Sequence, residues 1–282
     1  TIVRGGGGST YGDLYIRAAS SSVGGSSTIN FTQTPSIGPV VDAVQNYLLD
    51  ANVPLNNLTI TGKTAATARN ATVTLLISPL VLNGNLTISN ANSILDANSA
   101  YSVNITVNGG FVNNGTYNYY TNLTTFNGNV QSIQGSSITN FYNLTVNPIT
   151  SLSLIRDITV FNNLTLSSGQ LLNSTYSINL KGNLVNNANY DGDASVGGVI
   201  LNGTVLQEIS GTGTFGRLEL DNTNGARVND NITLQKNIKL SNGIFNINQH
   251  LMTLGINSEI EGSGFGPTKM IASDGVFSNV GL

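Results

Sequence analysis

Residues able to carry chemistry are few and widely spaced in this 282-residue chain. It has 14 acidic side chains, with Asp191/Asp193 and Glu259/Glu261 as close pairs among them. Neither pair has a basic residue within a few positions. Acid–base cleavage of a polysaccharide requires two or three converging carboxylates, often beside a Lys or Arg. Only a coiled fold that brought Asp157 or Asp230 beside other segments could assemble one. The sequence therefore predicts no catalytic residues and no pocket gathering two carboxylates with a Lys or Arg. His250 is the single histidine and cannot alone make a triad or a zinc site. With no cysteine in the chain, disulfides, thiol catalysis and thiolate metal sites are excluded. The Gly5–Gly8 run is not followed by Gly-Lys-Ser/Thr, so it reads as a flexible lead or turn rather than a phosphate loop.

Two short stretches carry binding chemistry. In NANYDGD, Asn187, Asn189, Asp191 and Asp193 alternate with the oxygen-rich spacing of a calcium loop. The closing Glu of such a loop is missing, and the matching segment NGTYN (114–118) has no acids, which favours a polar corner with an Asp-Gly turn. Ca²⁺ is the only cofactor the residues suggest. In TYNYYTN, alternation must expose at least one of Tyr117, Tyr119 and Tyr120. An exposed ring on a rigid scaffold can stack on a sugar, whereas core packing accounts for a buried one.

The elements that would position these residues are short strands. Leu144 and Val146 alternate with Thr145, and Leu164 and Leu166 with Thr165, a period of two. An Asn-(Leu/Ile)-Thr tripeptide opens at Asn57, Asn85, Asn104, Asn122, Asn143, Asn163 and Asn231, with steps of 19, 18, 21 and 20 from Asn85 to Asn163. Strands recurring every ~20 residues are the signature of a solenoid. A longer repeat is superposed. Residues 157–171 match 231–245 at an offset of 74, pairing Ile158 with Ile232, Leu164 with Ile238, Gly169 with Gly243 and Tyr176 with His250. Residues 44–60 match 130–146 at an offset of 86, and GGFVNNGTYN (109–118) answers GNLVNNANYD (182–191). PVVDAVQNYLLD (39–50) taken alone would suit an amphipathic helix with Val40, Val44, Tyr47 and Leu48 on one face. Its repeat partner contains Gly-Ser-Ser, which selects strand.

These observations predict an all-β fold, a parallel β-helix or β-solenoid with ~20-residue rungs and a ~75-residue super-repeat. An array of antiparallel sandwiches accounts less well for the inner period. At about 4.8 Å per rung, some 12–14 rungs would make a rod roughly 60–70 Å long. Leu144, Val146, Leu164, Leu166, Leu218, Leu220, Ile232 and Leu234 should face inward, and Thr145, Thr165 and Thr233 outward. Corner asparagines should bond nearby backbone and could stack as ladders. Residues 1–28 read as an irregular Gly/Ser-rich lead-in. Residues 29–282 read as a continuous solenoid in units of about 29–123, 124–198 and 199–282, the last expected to continue in a longer protein.

Charged residues make up only 9% of the chain, against about 25% in ordinary globular proteins. Regular alternation within a 39% hydrophobic composition excludes disorder. A net charge of −3 offers no footprint for nucleic acid, and no apolar run is long enough to span a membrane. Twelve Asn-X-Ser/Thr sequons occur, of which seven are the strand-opening tripeptide itself.

FNGNVQSIQGSSITNFYNLTVN, NNLTLSSGQLLNSTYSINLKGNLVNN and ILNGTVLQEISGTGTFGRLELDNTNGARVNDNITL resemble the large secreted β-solenoid repeat proteins of the Bacteroidota, over roughly residues 29–282. That resemblance implies export, through the type IX system, and display at the cell surface or outside it as an adhesin or filament, in some cases linked to gliding motility. The expected partners are surface or extracellular glycans, further copies of the chain, or neighbouring domains of a longer chain. The expected role is a stiff attachment rod. The alternatives are a subunit of an extracellular filament or sheath, and a polysaccharide-degrading β-helix enzyme.

Overall fold

The computed structural model describes residues 2–3, 13–19, 27–32, 44–64, 68–192 and 196–274, and every named element in it is a β-strand. The strands lie in parallel sheets that coil as a β-solenoid. Pro39–Ala43, Gly5–Gly8 and Asp193, singled out above, lie outside the described residues. Two compact units are present, Thr1–Asn140 and Phe141–Leu282.

Each unit has three faces. In the first, one face contains Asn57–Thr61, Leu86–Ile88 and Phe111–Asn113, and the next contains Gln45–Ala51, Ala71–Leu75, Ser93–Asp96 and Thr116–Asn118. Leu80–Leu82, Ile105–Val107 and Leu123–Phe126 form the third. In the second unit Ser151–Leu154, Ile158–Val160 and Leu164–Leu166 lie one on each face, and the chain visits the faces in that order. Gln45–Ala51 is a strand with Tyr47 and Leu49 inside and Val44 exposed, so the helical alternative is wrong for this stretch.

Rung length is less uniform than the sequence period suggested. Leu152 pairs with Leu171 and Leu171 with Tyr190, steps of 19 residues. In the first unit Ile29 pairs with Leu58, Leu58 with Leu86 and Leu86 with Phe111, steps of 29, 28 and 25. The turns of the two units together number about nine, with rungs of about 21 residues, fewer than the 12–14 expected.

Packing follows the period-two pattern. All eight side chains expected inside are at most 1% exposed, while Thr145, Thr165 and Thr233 are half-buried on the outer surface. Parallel register stacks like on like: Leu144, Leu164 and Leu184 share an inner column, and Thr145, Thr165 and Val185 the outer column beside it. A three-residue strand buries only two side chains, so each rung depends on the rungs above and below for its core.

The strand-opening asparagine has a defined task. Asn57 Oδ1 accepts the Asn85 N–H at 2.8 Å, and Asn85 Oδ1 accepts the Gly110 N–H at 2.7 Å. In the second unit Asn143 Oδ1 accepts from Asn163 N–H at 3.2 Å, Asn163 Oδ1 from Asn183 N–H at 3.3 Å, and Asn183 Oδ1 from Glu208 N–H at 2.9 Å. Each amide thus holds the backbone one rung further on, where the chain leaves its corner and the next strand begins. A second set turns the corners: Asn113, Asn186, Asn222 and Asn246 each accept the N–H two residues ahead, at 2.7 to 3.1 Å. Asn113, Asn186 and Asn222 are almost fully buried, so these bonds form in low dielectric.

The 74-residue repeat is also visible in the backbone. Gly169 and Gly243 have φ of 68° and 92°, and Ser174 and Asn248 have φ of 51° and 54°. A Cβ at Gly243 would lie 1.9 Å from the Asn222 carbonyl, so no other residue fits there. Tyr176 N–H bonds Asn173 O, and His250 N–H bonds Ile247 O, so His250 closes the same turn as its tyrosine counterpart. The repeat does not, however, return to the same face. Ile158–Val160 and Ile232–Leu234 are eleven strands apart and lie on different sheets of the second unit.

Leu164→Ala and Leu220→Ala should each destabilise the chain by about 2–5 kcal/mol, and Asn186→Ala by about 1–3 kcal/mol, because it strands a buried N–H. Thr165→Ala should stay within about 0.5 kcal/mol. Urea unfolding followed by circular dichroism would check this order, which fails if Thr165→Ala costs as much as Leu164→Ala.

Candidate functional site

The carboxylates follow the rung-to-rung pattern. Asp157 Oδ1 accepts the Ser177 N–H at 2.7 Å and Asp230 Oδ2 the Gly211 N–H at 2.8 Å, so both hold the neighbouring rung. Glu261, which has no basic neighbour in sequence, meets Arg217 at 3.3 Å from two rungs away. Arg217 also lies 3.6 Å from Glu219, which receives Lys239 Nζ at 2.9 Å and Ser241 Oγ at 2.6 Å. The fold thus brings Glu219 and Glu261 together with Lys239 and Arg217 on an outer column where Glu219, Lys239 and Glu261 lie in register. Partial burial of Glu219 works against ionisation, but the bonds from Lys239 and Ser241 and the Lys239 and Arg217 charges outweigh it and hold the carboxyl below the usual range. A carboxylate held ionised in this way ties rungs together and is poorly suited to donate a proton.

Around NANYDGD, Asn187, Asn189 and Asp191 are all exposed. Asn189 Oδ1 accepts Thr214 Oγ1–H at 2.6 Å, Asn187 Oδ1 the Thr212 N–H at 3.3 Å, and Asp191 Oδ2 Gln170 Nε2–H at 3.2 Å. Asn189 and Asp191 are two apart on one strand, roughly 7 Å, whereas calcium ligands sit about 2.3–2.6 Å from a shared ion. Their oxygens are thus arranged as rungs of a ladder, not as a cage. Among the described residues no group of three or more His, Cys, Asp or Glu side chains is placed to hold a metal. Beside this strand a hollow of about 380 Å³ is lined by Asn189, Tyr190, Asp191, Thr214, Gln235 and Lys236. It coincides with a rung lengthened to 25 residues between Asn189 and Thr214.

The tyrosines separate by depth. Tyr117 is a core residue, edge-on to Phe111 at 5.7 Å, its hydroxyl bonded to Thr124 Oγ1 and Asn122 Nδ2 at 2.8 Å each. Burial, opposed by those two bonds, pushes its phenol up to about 12. Tyr119 is half-buried and packs against Tyr117 at 6.2 Å, so a ring-to-ring path runs from the core to the surface. Tyr120 is 37% exposed, and its hydroxyl donates to Asp96 Oδ2 at 3.0 Å. Partial burial and the Asp96 carboxylate raise its phenol above the ordinary value.

Tyr120 occupies the corner between Thr116–Asn118 and Leu123–Phe126. The same corner one rung earlier, between Ser93–Asp96 and Ile105–Val107, presents Tyr101 at 61% exposed, and the rung before that presents Ile77 at 66%. Cross-rung bonds hold this corner. Asn98 Nδ2–H bonds Leu75 O at 2.9 Å, Thr121 Oγ1–H bonds Ser102 Oγ at 2.8 Å, and Asn118 Nδ2–H joins Tyr120 on Asp96 Oδ2. Asn98, Ser102 and Tyr120 all have left-handed backbones, with φ of 71°, 48° and 47°. For a tyrosine that conformation costs on the order of 1–2 kcal/mol, which the Asp96 bond and the surrounding network offset. Tyr101 was not among the residues the sequence singled out: in ANSAYSVN no alternation marks it as outward.

Compared with known proteins, the chain matches no family model, no curated protein and no solved structure. Among the described residues no helix is long and apolar enough to cross a membrane.

The ion pairs predict acid sensitivity. Asp50, bonded by the Arg17 guanidinium and the Ser78 N–H against an opposing burial penalty, is lowered to about 2. Its folded value lies below its unfolded one, so its contribution is complete above the ordinary carboxylate range near 4 and disappears as pH falls toward about 2. Glu219 acts in the same direction. Denaturant midpoints measured from pH 6 to pH 2 should fall with acid, and Asp50→Asn should flatten the curve. A midpoint independent of pH in that range would contradict the pairing.

Proposed function

We propose that this chain is a secreted, cell-surface structural and adhesive repeat protein, its solenoid serving as a stiff support that attaches to surfaces or glycans. The observation carrying this reading is the column of Ile77, Tyr101 and Tyr120, presented outward at one corner of three successive rungs, with Ser78, Asn98, Ser102 and Thr121 around them. Exposed rings held on a rigid support lose little conformational freedom on binding, the usual design of an attachment surface. Low charge, absence of cysteine and the resemblance to secreted Bacteroidota solenoids support export, by the type IX route, and display outside the cell. The asparagine laddering supports stiffness, since it bonds successive rungs through side chains as well as backbone.

Attachment through such a surface is the sum of weak contacts. Chains immobilised as an array should hold a glycan-coated or abiotic surface firmly where the monomer binds feebly, with an avidity gain of about 10²–10⁴. With few charges to steer it, attachment should change little between low and physiological salt. Surface plasmon resonance comparing monomer and array would check both, and Tyr101→Ala with Tyr120→Ala should release the array. Submicromolar binding of the monomer to one soluble ligand, or turnover of a polysaccharide, would overturn the reading.

A further inference from the structure

We infer that the tyrosine corner of the first unit is a binding site for an uncharged polysaccharide chain laid across the rungs, with Tyr101 and Tyr120 as its stacking platforms. This rests on the attachment reading above and names the ligand that one corner takes.

Chemical class follows from the side chains that meet there. Tyr101 and Tyr120 offer ring faces, which pack on the C–H face of a pyranose, and Ile77 extends the apolar strip by one rung. Polar groups are interleaved with them: the Ser102–Thr121 hydroxyl pair, the exposed Asn104, and the Tyr101 hydroxyl, which makes no bond among the described residues. Rings separated by hydroxyls and amides match a ligand that alternates apolar faces with hydroxyl edges, as a sugar chain does. A lipid surface would want a continuous apolar face instead.

Charge selects among glycans. Asp96 lies behind Tyr120 with its carboxylate taken up by Tyr120, Asn118 and the Asn98 N–H, so it positions the ring and leaves negative potential at the corner. The cation at this corner is Arg17, which is paired with Asp50 and bonds Ser78 Oγ at 3.3 Å. A chain of uronates or sulfated sugars would meet that negative potential at a corner whose Arg17 is already held by Asp50. A neutral chain meets no such penalty.

Direction follows from the fold. The platforms sit on consecutive rungs, which parallel pairing spaces about 4.8 Å apart. A ligand touching both must therefore run across the strands, and one sugar is too short to reach all three rungs. The left-handed backbones of Asn98, Ser102 and Tyr120 fix the corner before ligand arrives, so little ordering is left for binding to do.

The test uses the whole chain. Ten tyrosines would mix the emission of these two rings with that of eight others, so binding is followed by isothermal titration calorimetry. A neutral β-linked hexasaccharide, the matching monosaccharide, and a hexauronate of equal length are titrated separately at low salt. The neutral hexamer should bind weakly but saturably, the monosaccharide and the hexauronate at least about tenfold more weakly, and added salt should narrow the hexauronate gap. Tyr101→Ala and Tyr120→Ala should each weaken hexamer binding about three- to tenfold, and Tyr101→Phe should keep most of it. Phe161→Ala, at an exposed position in the second unit, should bind as the parent does, and circular dichroism identifies any variant that has not folded. Equal binding of hexamer and hexauronate, or of hexamer and monosaccharide, or full binding by Tyr101→Ala, overturns the inference. If arrays of the chain still hold surfaces in that case, the attachment reading survives; if neither surfaces nor sugars are bound, both fall.

Discussion

The fold depends on one bond repeated: a strand-opening asparagine whose side-chain oxygen accepts the backbone N–H of the equivalent position one rung on. Short parallel strands leave each rung with only a few ladder bonds and two or three buried side chains per face. Without help at the corners, where pairing lapses, the stack would be held only intermittently. The amide extends pairing across the break, as Asn143, Asn163 and Asn183 do in succession. It also fixes register, because its reach allows only one residue in the next rung to be its donor. Since a slip by one residue would turn every core side chain outward, this small group guards the whole interior.

Much of this was legible in the sequence, for a definite reason. Leu-Thr-Leu alternation, the Asn-Leu-Thr opening and the offset of 74 are local patterns, and a solenoid is assembled from local patterns alone. The inner positions of Leu144, Val146, Leu164 and Leu166 could therefore be named in advance. Rung length was harder: the tripeptide at Asn85 opens a strand on one face and that at Asn104 a strand on another, so their spacing of 19 is not a rung, and too many turns were expected. Ion pairs between rungs were hidden. Glu261 meets Arg217 across 44 positions, and nothing in either local sequence marks the meeting.

The tyrosine corner shows where local reading stops. TYNYYTN was legible as aromatic-rich, but alternation could not assign depth once the chain left the strand after Asn118. Tyr117 went to the core, Tyr119 to the boundary and Tyr120 to solvent, the last through a left-handed backbone that no sequence period reports. Its companion Tyr101 lies 19 residues away and joins it only because the coil returns to the same corner. Sites on solenoids are composed in this way, one residue per turn.

The eleven-strand step of the longer repeat bears on how such a chain grows. Eleven strands make three full turns and two faces more, so a duplicated block does not land above its parent but is rotated by one face. Duplication can succeed on those terms only if the three faces are interchangeable hosts, which the shared Leu-Thr-Leu strand and asparagine opening make them. Lineages that lengthen by this block are released from copying whole turns. Any surface feature gained in one copy would be dealt to each side in turn, returning to its starting side after three copies, and a protein growing this way would come to bear its features around its circumference.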